Sequence, residues 1–142
     1  MSDKENLVSP PASSSESRGK VVACYDDNQY LSEWEEAARE GKLCVVDCHA
    51  AWCGPCRAIA PVFENLAKEY PHVLFLKVDV DKCKRTAKNL GVIAMPSFFF
   101  FKAGEKVGGF MGASEAKIRQ GLENDGKVSD ICSMIANACV IA

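Results

Sequence analysis

Apolar and polar positions follow two rhythms along this chain, and the changes of rhythm mark its elements. Leu43-Cys44-Val45-Val46-Asp47-Cys48 is a nearly continuous apolar run, which predicts a central strand covered on both faces. Val73 to Val78 reads as a second buried strand and Val21-Val22-Ala23-Cys24 as a shorter one. Ser97 to Lys102 and Lys106 to Met111 read as a hairpin about Ala103-Gly104. Elsewhere the period lengthens. Asp27 to Glu40 places Tyr30, Leu31, Trp34 and Ala38 on one side of a helix, with Gly41 as its stop. A helix from about Pro55 to Tyr70 follows, with a kink expected at Pro61. Lys82 to Leu90 is a short helix closed by Gly91, and Ser114 caps a last helix to about Glu123.

The order is therefore strand, helix, strand, helix, strand, helix, strand, strand, helix. Crossover helices require a parallel portion, and the hairpin adds an antiparallel edge. The expected fold is α/β, a mixed central sheet flanked by helices on both faces. Sites in such folds gather at the carboxyl ends of the strands, and Cys53 falls just after the central one.

A length of 142 residues suits one compact domain with tails. Residues 1–20, rich in Ser, Pro and charge, read as a flexible tail; residues 21–125 hold the domain; residues 126–142 form a C-terminal extension. The net charge of -2 predicts no nucleic-acid partner. No apolar run reaches the roughly 18 residues of a membrane span, and the N-terminal residues lack the apolar core of a secretory signal. A cytoplasmic, reducing location follows as the expectation. The eight cysteines then read as thiols with one reactive pair rather than as a disulfide framework.

That pair lies in Trp52-Cys53-Gly54-Pro55-Cys56. Its spacing lets one helical turn hold both sulfurs within bonding reach. A Cys at the first turn of a helix has its thiolate stabilised by unpaired backbone N–H groups and the helix dipole, so Cys53 is the candidate nucleophile and Cys56 its resolving partner. The bland alternative is half a zinc site. Zinc needs about four ligands, the chain has no second Cys-x-x-Cys, and His49 and His72 stand alone; no metal is expected. Asp47 reads as a buried acid among Val45 and Val46, against a solvent-facing slot as the alternative. Trp52 reads as a surface residue beside the sulfur rather than as core filling.

With Ala94-Met95-Pro96 before a second strand, the Trp52–Cys56 motif after a buried strand resembles the thioredoxin family over about residues 21–125. The segments Val78-Asp79-Val80-Asp81-Lys82-Cys83 and Met95-Pro96-Ser97-Phe98-Phe99-Phe100 look most like the thioredoxin domain of the thioredoxin-like 1 group. The resemblance implies a thioredoxin fold and a protein-disulfide reductase. Cys53 would attack a client disulfide and Cys56 would release the mixed disulfide. Asp47 would be the buried carboxylate that accepts the Cys56 proton, and Lys77 the lysine near it. Met95-Pro96 would be a cis peptide facing the disulfide, where the Met95 backbone pairs with a client strand. Trp52, Gly54, Pro55 and Gly112 would border that groove. Cys48, His49 and Arg57 depart from common family residues without removing a chemical role. His49 reads as a packed histidine. No bound cofactor is implied, because the thiol pair carries the electrons. The implied partners are disulfide-containing clients, with thioredoxin reductase as electron donor. A non-enzymatic adaptor, binding partners through the same surface, is the alternative class.

Cys24, Cys44 and Cys48 read as small core residues. Cys83 opens a helix and is expected at the surface, idle, regulatory or dimer-forming. In the extension, Cys139-Val140-Ile141-Ala142 fits the C-a-a-X signal, with terminal Ala favouring farnesyl. That reading implies a prenyltransferase and attachment to a cytosol-facing membrane. One lipid binds only marginally, so Cys132 is the candidate for a second, palmitoylated anchor. The competing reading is structural: Val128, Ile131, Cys132, Ile135 and Cys139 share one helical face that would fold back onto the domain.

Overall fold

The computed structural model describes residues 18–128 and 139–140. Strands β1 (Val21–Cys24), β2 (Leu43–His49), β3 (Leu74–Asp79), β5 (Ser97–Lys102) and β6 (Glu105–Met111) form one sheet in the order β1-β3-β2-β5-β6. The first three run parallel; β5 and β6 add the antiparallel edge. Helices α1 (Asp27–Arg39), α2 (Gly54–Glu69), α3 (Lys84–Leu90) and α4 (Glu115–Glu123) complete the expected order. The hairpin turns at Ala103 and Gly104, both with positive φ, 52° and 84°. Such a pair twists a two-residue turn to match its strands.

The alternation of side chains along the strands builds two cores. On one face Cys44, Val46 and Cys48 of β2 join Leu74, Leu76 and Val78 of β3, beneath Tyr30 and Ala37 of α1. On the other, Val45, Phe75, Phe98 and Phe100 meet Ile59, Phe63 and Leu66 of α2 and Ile118 and Leu122 of α4. Phe63 and Phe75 meet edge to face, their ring centroids 5.1 Å apart. Gly121 lets α4 come down onto Phe100: a Cβ there would strike that ring. Asp26 caps α1 by accepting from the Gln29 N–H at 2.8 Å, and Ser114 caps α4 as expected, accepting from Lys117 N–H at 3.3 Å. Pro61 lies inside a continuous α2.

Three details differ from the expectations. The inward side of α1 is Tyr30, Glu33 and Ala37, with Trp34 half-buried, while Leu31 is 47% exposed. Leu31 is turned by about a quarter-turn or more from Tyr30, and the stripe at i, i+3 and i+7 excludes it. The short helix starts at Lys84, two residues later than expected, because Cys83 is its N-cap. Cys83 is not a surface thiol. It is fully buried, its N–H donates to Asp79 O at 2.7 Å, and its thiol donates to Cys24 O at 3.5 Å. Burial pushes its pKa up to about 11.

A second, two-stranded ladder lies outside the main sheet. β4 (Ala94–Met95) pairs antiparallel with β7 (Cys139–Val140), Ala94 opposite Val140 and Met95 opposite Cys139. The backbone at Cys139 is thus extended, not helical. Val128 packs against the α2/α4 core. Ile131, Cys132 and Ile135, and residues 1–17 of the N-terminal tail, lie outside the described residues.

Candidate active site

The chain leaves β2 at its carboxyl end, turns through residues 50–52 and enters α2 at Cys53. Cys53 is the N-cap, with extended backbone (φ -93°, ψ 114°), and Pro55 sits in the first turn, where its missing N–H costs no helical bond. Cys53 N–H donates to Ala50 O at 3.1 Å, and the Arg57 guanidinium donates to Ala51 O at 2.8 Å, so the turn is tied at both sides. Arg57, a departure from the family's common residue, therefore has a positioning contact.

Cys53 and Cys56 form a disulfide with their Cα atoms 5.3 Å apart. The Cys56 N–H donates to Cys53 Sγ at 3.2 Å. That bond, together with the positive end of α2 and the lack of an acidic residue in its first turn, favours negative charge on Cys53 sulfur once the disulfide opens. Both cysteines are buried, Cys53 completely.

Trp52 stands beside them, 56% exposed, its Nε1–H donating to Asp81 Oδ2 at 3.1 Å. Asp81 N–H in turn donates to Asp79 Oδ1 at 2.8 Å. This bridge from the β3–α3 turn holds the indole at the surface. Opposite the disulfide lies Met95, whose carbonyl oxygen is 3.6 Å from Cys53 Sγ. The Met95–Pro96 peptide is cis. The loop is pinned on both sides of it: Ser97 Oγ donates to Ala94 O at 2.5 Å, and Gly112 N–H donates to Pro96 O at 2.8 Å. Gly112 has φ +103°, a conformation that favours glycine.

Asp47 is buried on β2, directly opposite Lys77 of β3 and Phe98 of β5. Strand alternation puts it on the α2 side of the sheet with Val45. Its Oδ1 makes no hydrogen bond. Burial pushes its pKa up to about 7, the effect of Lys77 pulling the other way but not enough to restore an ordinary carboxylate. His49 is half-buried at the end of β2; burial and Lys77 hold its pKa below the usual value, against the opposing pull of Asp79.

Sequence reasoning placed Cys53, Cys56, Met95, Pro96 and Gly112 around one disulfide but missed three residues. Asp81 was legible only as part of an Asp-x-Asp turn after a strand. Ser97 reads from the sequence as the first residue of a strand, and its hydroxyl next to Pro96 is the available signal. Ile93, 57% exposed beside β4, carries no signal in the sequence. Among the described residues no group of three His, Cys, Asp or Glu is arranged to hold a metal ion, and no helix is long and apolar enough to cross a membrane.

Fold and dithiol together define the class: an oxidoreductase that exchanges its own disulfide with those of other molecules. Known proteins agree. The family model described as Thioredoxin matches residues 24–124. A tobacco (Nicotiana tabacum) thioredoxin H-type 1 is 45% identical over 118 residues, covering 80% of this chain and 90% of that protein. A thioredoxin of Callithrix jacchus is 47% identical over 98 residues, covering 69% and 92%. Among solved structures, Schistosoma mansoni thioredoxin superposes with a TM-score of 0.70 at 42% identity, covering 75% of this chain and 95% of that one. The long form of spinach chloroplast thioredoxin f gives 0.76 at 33% identity, covering 83% and 96%. This chain belongs to the thioredoxin family. It is a thiol–disulfide oxidoreductase that reduces protein disulfides through Cys53 and Cys56, which decides between the two function classes in favour of the enzyme.

Proposed function

We propose the following division of labour at this dithiol. In the reduced protein the Cys53 thiolate attacks one sulfur of a client disulfide. The Cys53–client bond forms, the client S–S bond breaks, and the first client sulfur leaves as thiolate. Cys56 then gives its proton to Asp47 and attacks Cys53 Sγ. The Cys53–Cys56 bond forms and the second client thiolate departs. A carboxyl with a pKa of about 7 is well matched to a proton taken and returned at neutral pH. Lys77, opposite Asp47, sets how readily that carboxyl ionises. Trp52, Gly54, Pro55 and Gly112 border the groove, and the Met95 backbone next to Pro96 pairs with the client strand by β-addition. Thioredoxin reductase, or a donor of the same chemistry, returns two electrons to the disulfide.

The observation that carries this reading is the contact pair about Cys53 Sγ: Cys56 N–H at 3.2 Å on one side and Met95 O at 3.6 Å on the other. The attacking sulfur is thereby both charge-stabilised and set beside a strand edge. Insulin reduction with dithiothreitol as donor tests it. Cys53→Ser should abolish the acceleration, and Cys56→Ser should accumulate a client mixed disulfide. A Cys53→Ser protein that accumulates the mixed disulfide while Cys56→Ser is inert would reverse the two roles.

For localisation, we propose a cytoplasmic protein whose Cys139 accepts a prenyl group from a prenyltransferase, with Cys132 as a second acylation site. This rests on residue types alone. Equal membrane fractions for the chain and its Cys139→Ser variant in cells would remove the lipid.

A further inference from the structure

Strand β4 stands apart from the main sheet, and among the described residues its ladder partner is β7 from the chain's own extension. Beside it lies exposed Ile93. A strand edge with open N–H and C=O groups takes up whatever extended segment is at hand. Here that segment is Cys139–Val140, with Cys139 opposite Met95, whose carbonyl is 3.6 Å from the attacking sulfur. We propose that in the unprenylated chain the extension is a built-in competitor: residues 139–140 occupy the client edge at β4 as an intramolecular strand that a client must displace, and prenylation of Cys139, which removes Val140, would abolish it. This rests on the reading of the Met95 edge as the client groove.

Reach and magnitude are compatible with such a device. Val128 packs on the domain, and the 11 steps from 128 to 139 span up to roughly 36–40 Å when extended. A tethered segment competes at an effective concentration of order millimolar, whereas a client must supply its own. Two paired residues make a weak ladder, so the edge opens readily and the effect is a graded one. If the docked state is populated ~70–90% of the time, the apparent client affinity falls ~3–10-fold. The competition acts on binding alone, because an open edge reacts as it would without the extension. No covalent step is involved.

The test uses the full chain, expressed in bacteria, and its Cys139→Pro/Val140→Pro double variant. Successive residues of a strand turn their N–H groups to opposite sides, so one of these two amides faces β4 and the double variant removes it in either register. Amide hydrogen exchange at Ala94 and Met95 reads docking; insulin-reduction kinetics read competition. Expected are one protected amide in the wild type, loss of that protection in the variant, and a ~3–10-fold lower KM with kcat unchanged. Equal, fast exchange in both proteins would overturn the docking and leave the client edge intact. Released protection with an unchanged KM would also overturn the competition. In that case a cysteine-peptide mixed disulfide of the Cys56→Ser variant, examined for protection at residues 94–95, shows separately whether clients use this edge.

Discussion

Asp47 and Lys77 face each other across the parallel pair β2–β3, yet the carboxyl of Asp47 stays well above the usual range. Full burial on the α2 side of the sheet and an Oδ1 with no hydrogen bond outweigh the lysine's pull. A charged carboxylate in such a place costs several kcal/mol unless it is paired and bonded. In the cycle proposed above such a group serves proton transfer rather than stability.

That burial makes stability depend on pH. The folded pKa of about 7 lies above the ordinary value of 3.8. Between these values the folded chain holds a proton that the unfolded chain has lost, so stability falls as pH rises through the window. Below about pH 4 the contribution is absent, and above about pH 7 it reaches its full destabilising size, on the order of 4 kcal/mol. In the oxidised protein Asp47→Asn should therefore gain on the wild type from pH 4 to pH 8, as read by urea unfolding at several pH values. Parallel curves for the two proteins would show that Asp47 is ionised throughout.

Replacing Lys77 by Met removes the cation but keeps much of the stem. The lysine is the influence that lowers the Asp47 pKa, so its loss should raise that pKa further. The alkaline-rising limb of insulin reduction should move to higher pH in Lys77→Met, while at pH 7 the release of the mixed disulfide slows. A pH profile identical to the wild type would separate Lys77 from the proton path.

The elements were legible because each carries its own period. The unbroken apolar run at 43–48 gave β2, and Ala103-Gly104 gave the turn of the hairpin. The dithiol was legible for a similar reason: both sulfurs and the two restraining residues between them lie within one turn of chain. What was hidden depends on contacts distant in sequence. Trp52 finds Asp81 29 residues away. Cys83 is buried because the β3–α3 turn folds over Cys24, 59 residues earlier. The pairing of β4 with Cys139–Val140 has no periodic signature, since two residues are too few to show one.

Cys83 illustrates what such burial does to a thiol. With Cys24, Cys44 and Cys48 it is a free cysteine packed in the α1-side core, and burial raises the pKa of all four, that of Cys24 to about 12. A protonated, inaccessible thiol is neither nucleophilic nor readily alkylated. Iodoacetamide at pH 8 should leave these four unlabelled in the native oxidised protein, mapped by peptide mass, and label them all after unfolding. Native labelling of Cys83 would restore it as a surface thiol.

Gly121 of α4 faces Phe100 with no room for a Cβ. In an exposed helix Gly→Ala would stabilise by up to about 1 kcal/mol. Here the added methyl must push α4 or the Phe100 ring aside, and overpacking of this kind costs roughly 1–3 kcal/mol. The steric term wins, because Phe100 is itself fully buried in the α2/α4 core and has no free direction in which to yield. Gly121→Ala should lower the unfolding midpoint in urea with the slope unchanged. Its insulin-reduction rate should hold under native conditions, because α4 makes none of the contacts described at the dithiol. A midpoint equal to or above the wild type would mean that α4 shifts outward at little cost.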